Sequence, residues 1–437
     1  MQANLAIQDQ SMLPIVIIGG GAAGLAAAHE LHRAGKEFLL LEATDRFGGR
    51  LRTDEVDGFR LDHGFQVYLS AYPAGRDLLD YGALDLHYFE PGADIRQSGT
   101  FKRLGDPIRR PFQTLSTASH PALTIGDKFR VAKLRSRLRR KPLEEIYGGP
   151  NTSTIDYLNG LGFSQMSIDQ FFRPFLGGVY LDESLSVSSR MFEFVWKFFS
   201  TGGVGLPKLG IGEIADQLVD RLPKESLRLQ TTVERLEGPN ILLTGGETIQ
   251  SSHVIVATEA NAAARLIRSS DTGTEWRRTV NIYYATGRLS KKYPALLLRG
   301  DETTGVIQTA TILSDTLPSY APNDQTLISV TVSEQFLDRE LNELDSLVKD
   351  QLSTWLRVDA KRLRQLRVYD IPFALPAREL DPVVQAIKFG ANAGSDTTQD
   401  ELEDQYFLAG DYLETPSLQG ALSTGKRAAE AVVAAMT

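Results

Sequence analysis

The segment Gly19-Gly20-Gly21-Ala22-Ala23-Gly24 constrains this chain more than any other, because its GxGxxG spacing sits between a β-branched run and an alanine-rich run. Ile15-Val16-Ile17-Ile18 reads as a buried strand, and Ala22 to Ala34 suits a helix. In such a strand, turn and helix the first glycine permits the tight turn. The second lets backbone amides approach a pyrophosphate, and the third lets helix and strand pack closely. The helix N-terminus adds free N–H groups and a partial positive charge. After Gly35, a helix stop, Glu37-Phe38-Leu39-Leu40-Leu41-Glu42 supplies a second strand, so the unit is βαβ with parallel pairing. Glu42 falls where a carboxylate accepts from both hydroxyls of a ribose. Plain turns also use glycine and strand ends also carry acids, but the context favours a dinucleotide.

Arg46-Phe47-Gly48-Gly49-Arg50 follows at once. Its paired glycines let the main chain lie against a flat ring or a phosphate, and Arg50 offers a bidentate fork to phosphate oxygens. From Ser70 to Gly203 the pattern is irregular and helical. Strand character returns after Leu206, with a strand expected from Arg228 to Leu236, a hairpin signal at Thr244-Gly245-Gly246 and a buried strand at Val254-Ile255-Val256-Ala257. Arg278 to Val332 alternates like an antiparallel sheet, and a helix is expected from Leu337 to Leu356. Tyr406-Phe407-Leu408-Ala409 then leads through Gly410 and Asp411 into a closing helix from about Ser417. The expected fold is α/β. A Rossmann-type dinucleotide domain is assembled from residues 1–70, 205–267 and 385–437, and an α+β substrate domain with an antiparallel sheet from 71–204 and 268–384.

In order and spacing, GGGAAGLAAA, LLLEATDRFGGR, LDHGF, VIVAT and LAGDY with SLQGALSTG resemble the flavin amine oxidase superfamily. That superfamily includes monoamine and polyamine oxidases, protoporphyrinogen oxidases and carotenoid desaturases. The resemblance covers most of the chain and is most specific near its two ends. It implies an FAD-dependent oxidoreductase in which Glu42, beside Ala43, binds the adenosine ribose and Arg50 the pyrophosphate. It further implies that Gly49 and Gly64-Phe65-Gln66 lie along the isoalloxazine, that the Val233 backbone meets the adenine, and that Asp411 meets the ribityl chain. Gly420 and Ala421, near the start of the closing helix, would aim N–H groups at the flavin's pyrimidine edge, where negative charge develops on reduction. Close packing of that helix on the sheet explains the same small residues, and the two readings are compatible. Asp411 also suits a turn or helix cap. The chain has no cysteine, so a thioether link to the flavin is ruled out and FAD would be held non-covalently. The histidines lack ligand spacing, so no metal is expected. His63, the one next to the flavin motif, reads as a satisfied structural imidazole rather than a proton shuttle.

Chemistry of this kind moves a hydride between a substrate carbon and the flavin, so the protein mostly positions, desolvates and tunes. No catalytic residue is assigned. The segment from Phe171 to Tyr180 is similar to the one that enters the substrate domain in protoporphyrinogen oxidases and carotenoid desaturases. Phe192, Val195, Trp196 and Phe199 share one helical face, which suits an ordinary core stripe better than an apolar cavity. In typical amine oxidases a lysine on the first strand of the substrate sheet holds a water beside the flavin. The matching segment here, Thr279-Val280-Asn281-Ile282-Tyr283-Tyr284, has none, although a slip would bring in Arg278. That departure points towards a dehydrogenase, desaturase or isomerase acting on an apolar, hydrocarbon-like or cyclic organic molecule. An oxygen-using amine oxidase and a non-catalytic flavin or pigment carrier are the alternatives.

A formal net charge of -8 means that nothing in the overall balance favours nucleic acid as a partner, and none is expected. The first residues lack the apolar core of a signal peptide, and a cytoplasmic protein is expected. Lys128 to Lys141 carries eight cations, with Val131, Leu134 and Leu138 on one helical side. Such a helix can lie on an anionic membrane, or be a solvated face paired with acids elsewhere. Both remain open, and the expected ligand is a small-molecule substrate.

Overall fold

Ile15–Ile18 pairs in parallel with Phe38–Leu41 on one side and with Val254–Val256 on the other. Leu227–Arg228 and Tyr406–Leu408 extend this sheet outward, also in parallel, and Lys388–Phe389 closes one edge antiparallel. The computed structural model describes residues 13–268, 274–302, 304–377, 388–389 and 406–436.

The unbroken apolar runs conceal an alternation. Ile15, Ile17, Leu40, Ile255 and Phe407 share a core with the helices Ala22–Arg33 and Leu418–Ala435. Val16, Ile18, Leu41, Val254 and Val256 instead pack on a three-stranded antiparallel sheet of Val233–Glu237, Asn240–Leu243 and Thr248–Gln250. Strands covered on both faces need apolar residues at every position. The Ala22–Arg33 helix ends where Gly35 takes φ 67° and the Lys36 N–H reaches Leu31 O at 3.0 Å, a glycine-terminated stop. It meets the closing helix backbone to backbone, since a Cβ at Gly425 would overlap Ala23 O.

The strand expected from Arg228 to Leu236 is corrected to two. Leu227–Arg228 belongs to the parallel sheet and Val233–Glu237 to the small antiparallel one, with the chain changing layer between them. The switch turns on Gln230, whose φ is 52°, and no break in hydrophobic period announces it.

A second large sheet has the order Arg364–Pro376, Trp276–Gly287, Gln325–Val332, Ile307–Ile312, Leu296–Leu298, Gly92–Gln97 and Thr100–Gly105. Its pairs are antiparallel except that of Leu296–Leu298 with Gly92–Gln97. Val280, Ile282, Tyr284, Ile328 and Val330 form its outer core with Leu344, Val348, Leu352 and Trp355 of the helix Leu341–Leu356. That helix begins four residues later than expected, after a short turn at Glu334–Phe336. Gly92–Gln97 and Thr100–Gly105 lie in the stretch read as irregular and helical, which is a further correction. Charge hid them. Buried Asp94 faces Arg103 across the hairpin at 2.8 and 2.7 Å, and Ser98-Gly99, with φ 48° and 75°, makes the tight turn.

The remaining helices include Ile125–Arg140, Arg173–Tyr180 and Ser189–Thr201. In the last of these Phe192, Val195 and Trp196 are buried, and Phe192 stacks on Trp196 at 5.6 Å. They are core, not cavity wall. The architecture is thus α/β, a Rossmann-type parallel sheet joined to an antiparallel sheet with its own helices. No helix among the described residues is long and apolar enough to cross a membrane.

Candidate cofactor and substrate site

The glycines of the opening turn divide by physical cause. Gly19 takes φ 103°, donates its N–H to Leu41 O at 2.8 Å, and has Ala257 O where a Cβ would be. A Cβ on Gly24 would overlap Gly19 O. Both are therefore required by the protein itself. Gly21 is different: nothing lies nearer to its missing Cβ than Gly49 Cα at 4.0 Å. Gly21 caps the helix that starts at Ala22 and Ala23, and among the described residues no side chain accepts from the first-turn N–H groups. Open space over a glycine beside uncapped helical amides is the arrangement that accepts a phosphate.

The second glycine pair crosses the first turn. Gly48 N–H donates to Gly20 O at 2.8 Å, and Gly21 and Gly48 form a parallel bridge. Gly48 and Gly49 take φ 115° and 58°, conformations that only glycine adopts freely. Glu42 leaves the end of its strand with Oε2 accepting from Gly20 N–H at 2.8 Å, while Oε1 accepts from the Thr44 N–H and hydroxyl at 2.9 and 2.8 Å. Ala43 next to it is exposed. Thr231 N–H bonds Glu42 O at 2.9 Å, which brings the start of the Val233–Glu237 strand to the same end of the sheet.

Arg50 ties three distant pieces together. Its Nη2 meets Asp411 Oδ1 at 2.6 Å, its Nη1 donates to Ala374 O at 2.9 Å, and its guanidinium lies 5.8 Å from the Trp276 ring centre. Gln66 Nε2 donates to Arg50 O and His63 O at 2.8 and 3.0 Å. Gly64, at φ 85°, presses towards Ile371, and Phe65 sits edge-on to Phe89. The Gly410-Asp411 turn is fastened to the closing helix, where Gly410 N–H donates to Thr424 Oγ1 at 3.0 Å. At that helix's start the Gly420 N–H goes to Ser417 Oγ at 3.1 Å and the Ala421 N–H to Ser417 O at 3.0 Å. These two amides are engaged within the helix end.

His63 is satisfied structurally. Its Nε2 lies 2.9 Å from Asp54 Oδ2, and its ring sits 4.5 Å from that of Tyr369. Burial pushes the Asp54 carboxyl up, but hydrogen bonds from Arg46, Tyr369 and His63 outweigh it and hold the group at about 2. Residue patterns did not reveal Trp276, the Ala374 carbonyl or Tyr369, each of which reaches the site from a remote part of the chain, whereas Ser417 caps the closing helix where that helix was expected to begin.

A cavity of about 420 Å³ opens beside the Ser417 cap, lined by apolar Val179, Met191 and Leu375 and equally by polar Ser153, Ser188, Glu275 and Arg277. On the adjoining Trp276–Gly287 strand, Arg278 is tied to Asp370 at 2.8 Å and to Asp338 at 3.0 Å. Asn281 is buried against Ser329 instead. The basic helix Ile125–Arg140 buries Leu134 and Leu138 in the protein, so this stripe is not available to a bilayer. Several of its cations are paired: Arg130 with Asp127, Arg135 with Asp106, and Arg137, together with Lys141 just beyond it, with Glu193.

A glycine turn under a parallel sheet, crossed by a second glycine pair and closed by the last helix, defines a Rossmann-type α/β fold with an appended antiparallel sheet. Residues 22–433 match the family of flavin containing amine oxidoreductases, and the chain belongs to that family. It is similar to a carotenoid 3,4-desaturase of Haloarcula japonica, 28% identical over 298 residues that cover 59% of this chain and 58% of that one. It is also similar to protoporphyrinogen oxidase 2 of Arabidopsis thaliana, 26% identical over 43% of this chain and 36% of the relative. The chain thus matches between about a third and three-fifths of the length of these relatives. Among solved structures, an oxidoreductase from Methanosarcina mazei superposes with a TM-score of 0.70 over 97% of this chain and 100% of the other, at 16% identity. That likeness establishes the fold.

Proposed function

We propose that this chain binds FAD non-covalently and transfers a hydride between an apolar organic substrate and the flavin, in the manner of a dehydrogenase or desaturase. The observation that carries the reading is the open space over Gly21, with uncapped amides at Ala22 and Ala23 on one side and Arg50 on the other. FAD would lie with its ribose at Glu42, its adenine near Val233, its pyrophosphate between the amides and Arg50, and its ribityl chain at Asp411. Residues 1–70, 205–267 and 385–437 would then make the FAD-binding domain, and 71–204 with 268–384 the substrate domain. When bound, FAD supplies a two-electron acceptor or donor. The chain's own part is to fix that group by charge-assisted hydrogen bonds and to orient substrate in the cavity by Met191, Val179 and Tyr180. Oxygen-linked amine oxidation fits less well, because Arg278, the nearest cation to the expected lysine position, is held by Asp370 and Asp338. We further propose that the basic helix faces an anionic membrane through Lys133, Arg139 and Arg140, cations that lack an acidic partner among the described residues.

Organic extraction of the purified protein followed by mass spectrometry tests cofactor and substrate class together. FAD with a co-purified apolar molecule is expected. A colourless protein that stays so with added FAD would defeat the reading. Photoreduced protein should be reoxidised faster by a quinone than by oxygen, and peroxide produced on adding amines would favour the oxidase instead.

A further inference from the structure

Eleven large apolar side chains are conspicuously exposed among the described residues, and five of them fall in one short stretch. Ile108, Phe112, Leu115, Ile125 and Phe129 are 63%, 78%, 81%, 73% and 73% exposed. Scattered apolar residues are ordinary at a surface, but a concentration of this kind marks a contact.

Two side chains of the basic helix tie the two parts of this stretch together. Lys128 Nζ donates to Ala118 O at 2.6 Å and to His120 O at 3.1 Å, and Arg135 Nη1 reaches Asp106 Oδ2 at 2.5 Å. The segment carrying Ile108, Phe112 and Leu115 is therefore pinned to the basic helix at its two ends, Asp106 near the helix's later turns and Ala118 to His120 near its first turn. Ile125, Phe129 and Lys133 follow one another at intervals of four residues on an exposed face of that helix, opposite Leu134 and Leu138. Charge follows the same division. Residues 101–141 hold twelve Lys and Arg against Asp106 and Asp127 alone, in a chain whose net charge is -8. Among the described residues, Lys102, Lys133, Arg139 and Arg140 are without an acidic partner.

We infer that Ile108, Phe112, Leu115, Ile125 and Phe129 form an apolar wedge that enters the headgroup layer of an anionic lipid bilayer, with the unpaired cations of the basic helix on the phosphates around it. This rests on the proposal that the helix faces an anionic surface, and adds an element that penetrates it. Apolar area with adjacent cations is the combination that holds a peripheral protein at an interface. The acidic remainder of the chain is repelled by the same surface, which fixes the orientation.

The test uses the full chain and vesicles of equal parts phosphatidylglycerol and phosphatidylcholine. Replacing Lys133, Arg139 and Arg140 by Gln should weaken capture about fivefold per cation, or about a hundredfold together. A Phe129→Trp variant should shift its emission to the blue on these vesicles and be quenched by brominated acyl chains. Phe112→Ser with Leu115→Ser should lower partition about tenfold while leaving circular dichroism unchanged, because both positions are exposed. Capture without quenching would overturn the wedge and leave the electrostatic reading standing. Absence of capture at low salt would overturn both. A dimer in sedimentation that Phe112→Ser with Phe129→Ser dissolves, without quenching on vesicles, would assign the surface to a second copy of the chain and overturn the wedge.

Discussion

Arg50 Nη2 lies 2.6 Å from Asp411 Oδ1, an ion pair that joins the loop after the second strand to the turn before the closing helix. The carboxylate is buried while the guanidinium is partly open to solvent. Arg50 can therefore turn towards a phosphate without leaving its partner far behind. Replacing Arg50 by Ala should weaken FAD binding by about 10- to 100-fold, the worth of a charge-assisted bidentate contact. Arg50→Lys should restore only part of this, because an ammonium lacks the planar fork. Titration of flavin fluorescence against apoprotein measures both, and an unchanged affinity would remove Arg50 from the site.

Gly21 and Gly24 should separate cofactor binding from folding. At Gly24 a Cβ overlaps Gly19 O, so Gly24→Ala is expected to destabilise the fold by about 1–3 kcal/mol. At Gly21 the backbone has φ -76°, which any residue tolerates, and a Cβ meets nothing nearer than 4.0 Å. Gly21→Ala should lose FAD retention yet keep the melting temperature of the FAD-free wild type, the comparison that removes the stabilisation contributed by bound FAD. Equal melting losses in the two variants would mean that protein packing, not a ligand, demands both glycines.

The glycine turn, the parallel strands and the closing helix were legible because each rests on a local cause: a positive φ, an apolar run, a cap. The hairpin at 92–105 was not. Its strands carry Asp94, Arg96 and Arg103, and what makes these tolerable is pairing: Asp94 with Arg103 across the hairpin, and Arg96 with Glu302 from more than two hundred residues away. The layer change near Gln230 was equally silent, since either sheet accepts the same side chains. At the site, Glu42 and Arg50 carried their own signals, whereas Trp276 and Ala374 meet Arg50 only through the pairing of Trp276–Gly287 with Arg364–Pro376.

Asp62 should make stability depend on pH. It is fully buried, and burial pushes its carboxyl up to about 6 despite hydrogen bonds from Thr53, Ile211 and Tyr320. The native state thus holds a proton that the unfolded chain, titrating near 4, has given up. Stability from this group is fully present below about pH 4 and is lost as pH rises to about 6, an effect of up to about 3 kcal/mol. Asp62→Asn should flatten that slope and raise stability at neutral pH, as read from urea midpoints. An unchanged slope would show that Asp62 titrates as an ordinary acid.

Glu193 anchors the basic helix to the protein interior, and its removal should be felt in folding. The carboxylate is nearly buried in the Ser189–Thr201 helix, where it accepts from Lys141 Nζ at 2.5 Å, from Arg137 Nη2 at 3.0 Å and from the Tyr157 hydroxyl. Burial and the neighbouring carboxylate push the Tyr157 hydroxyl well above its ordinary range, so it remains a donor at every accessible pH. Glu193→Ala would leave three donors facing an apolar helix face. Breaking a fully buried pair costs about 3–5 kcal/mol, but Arg137 is half exposed and can turn to water, so about 2–3 kcal/mol is expected. Glu193→Gln keeps an acceptor for Tyr157 while removing the charge, and should cost less. Urea denaturation of the two variants measures the difference. A loss below about 0.5 kcal/mol for Glu193→Ala would place this cluster with ordinary surface ion pairs.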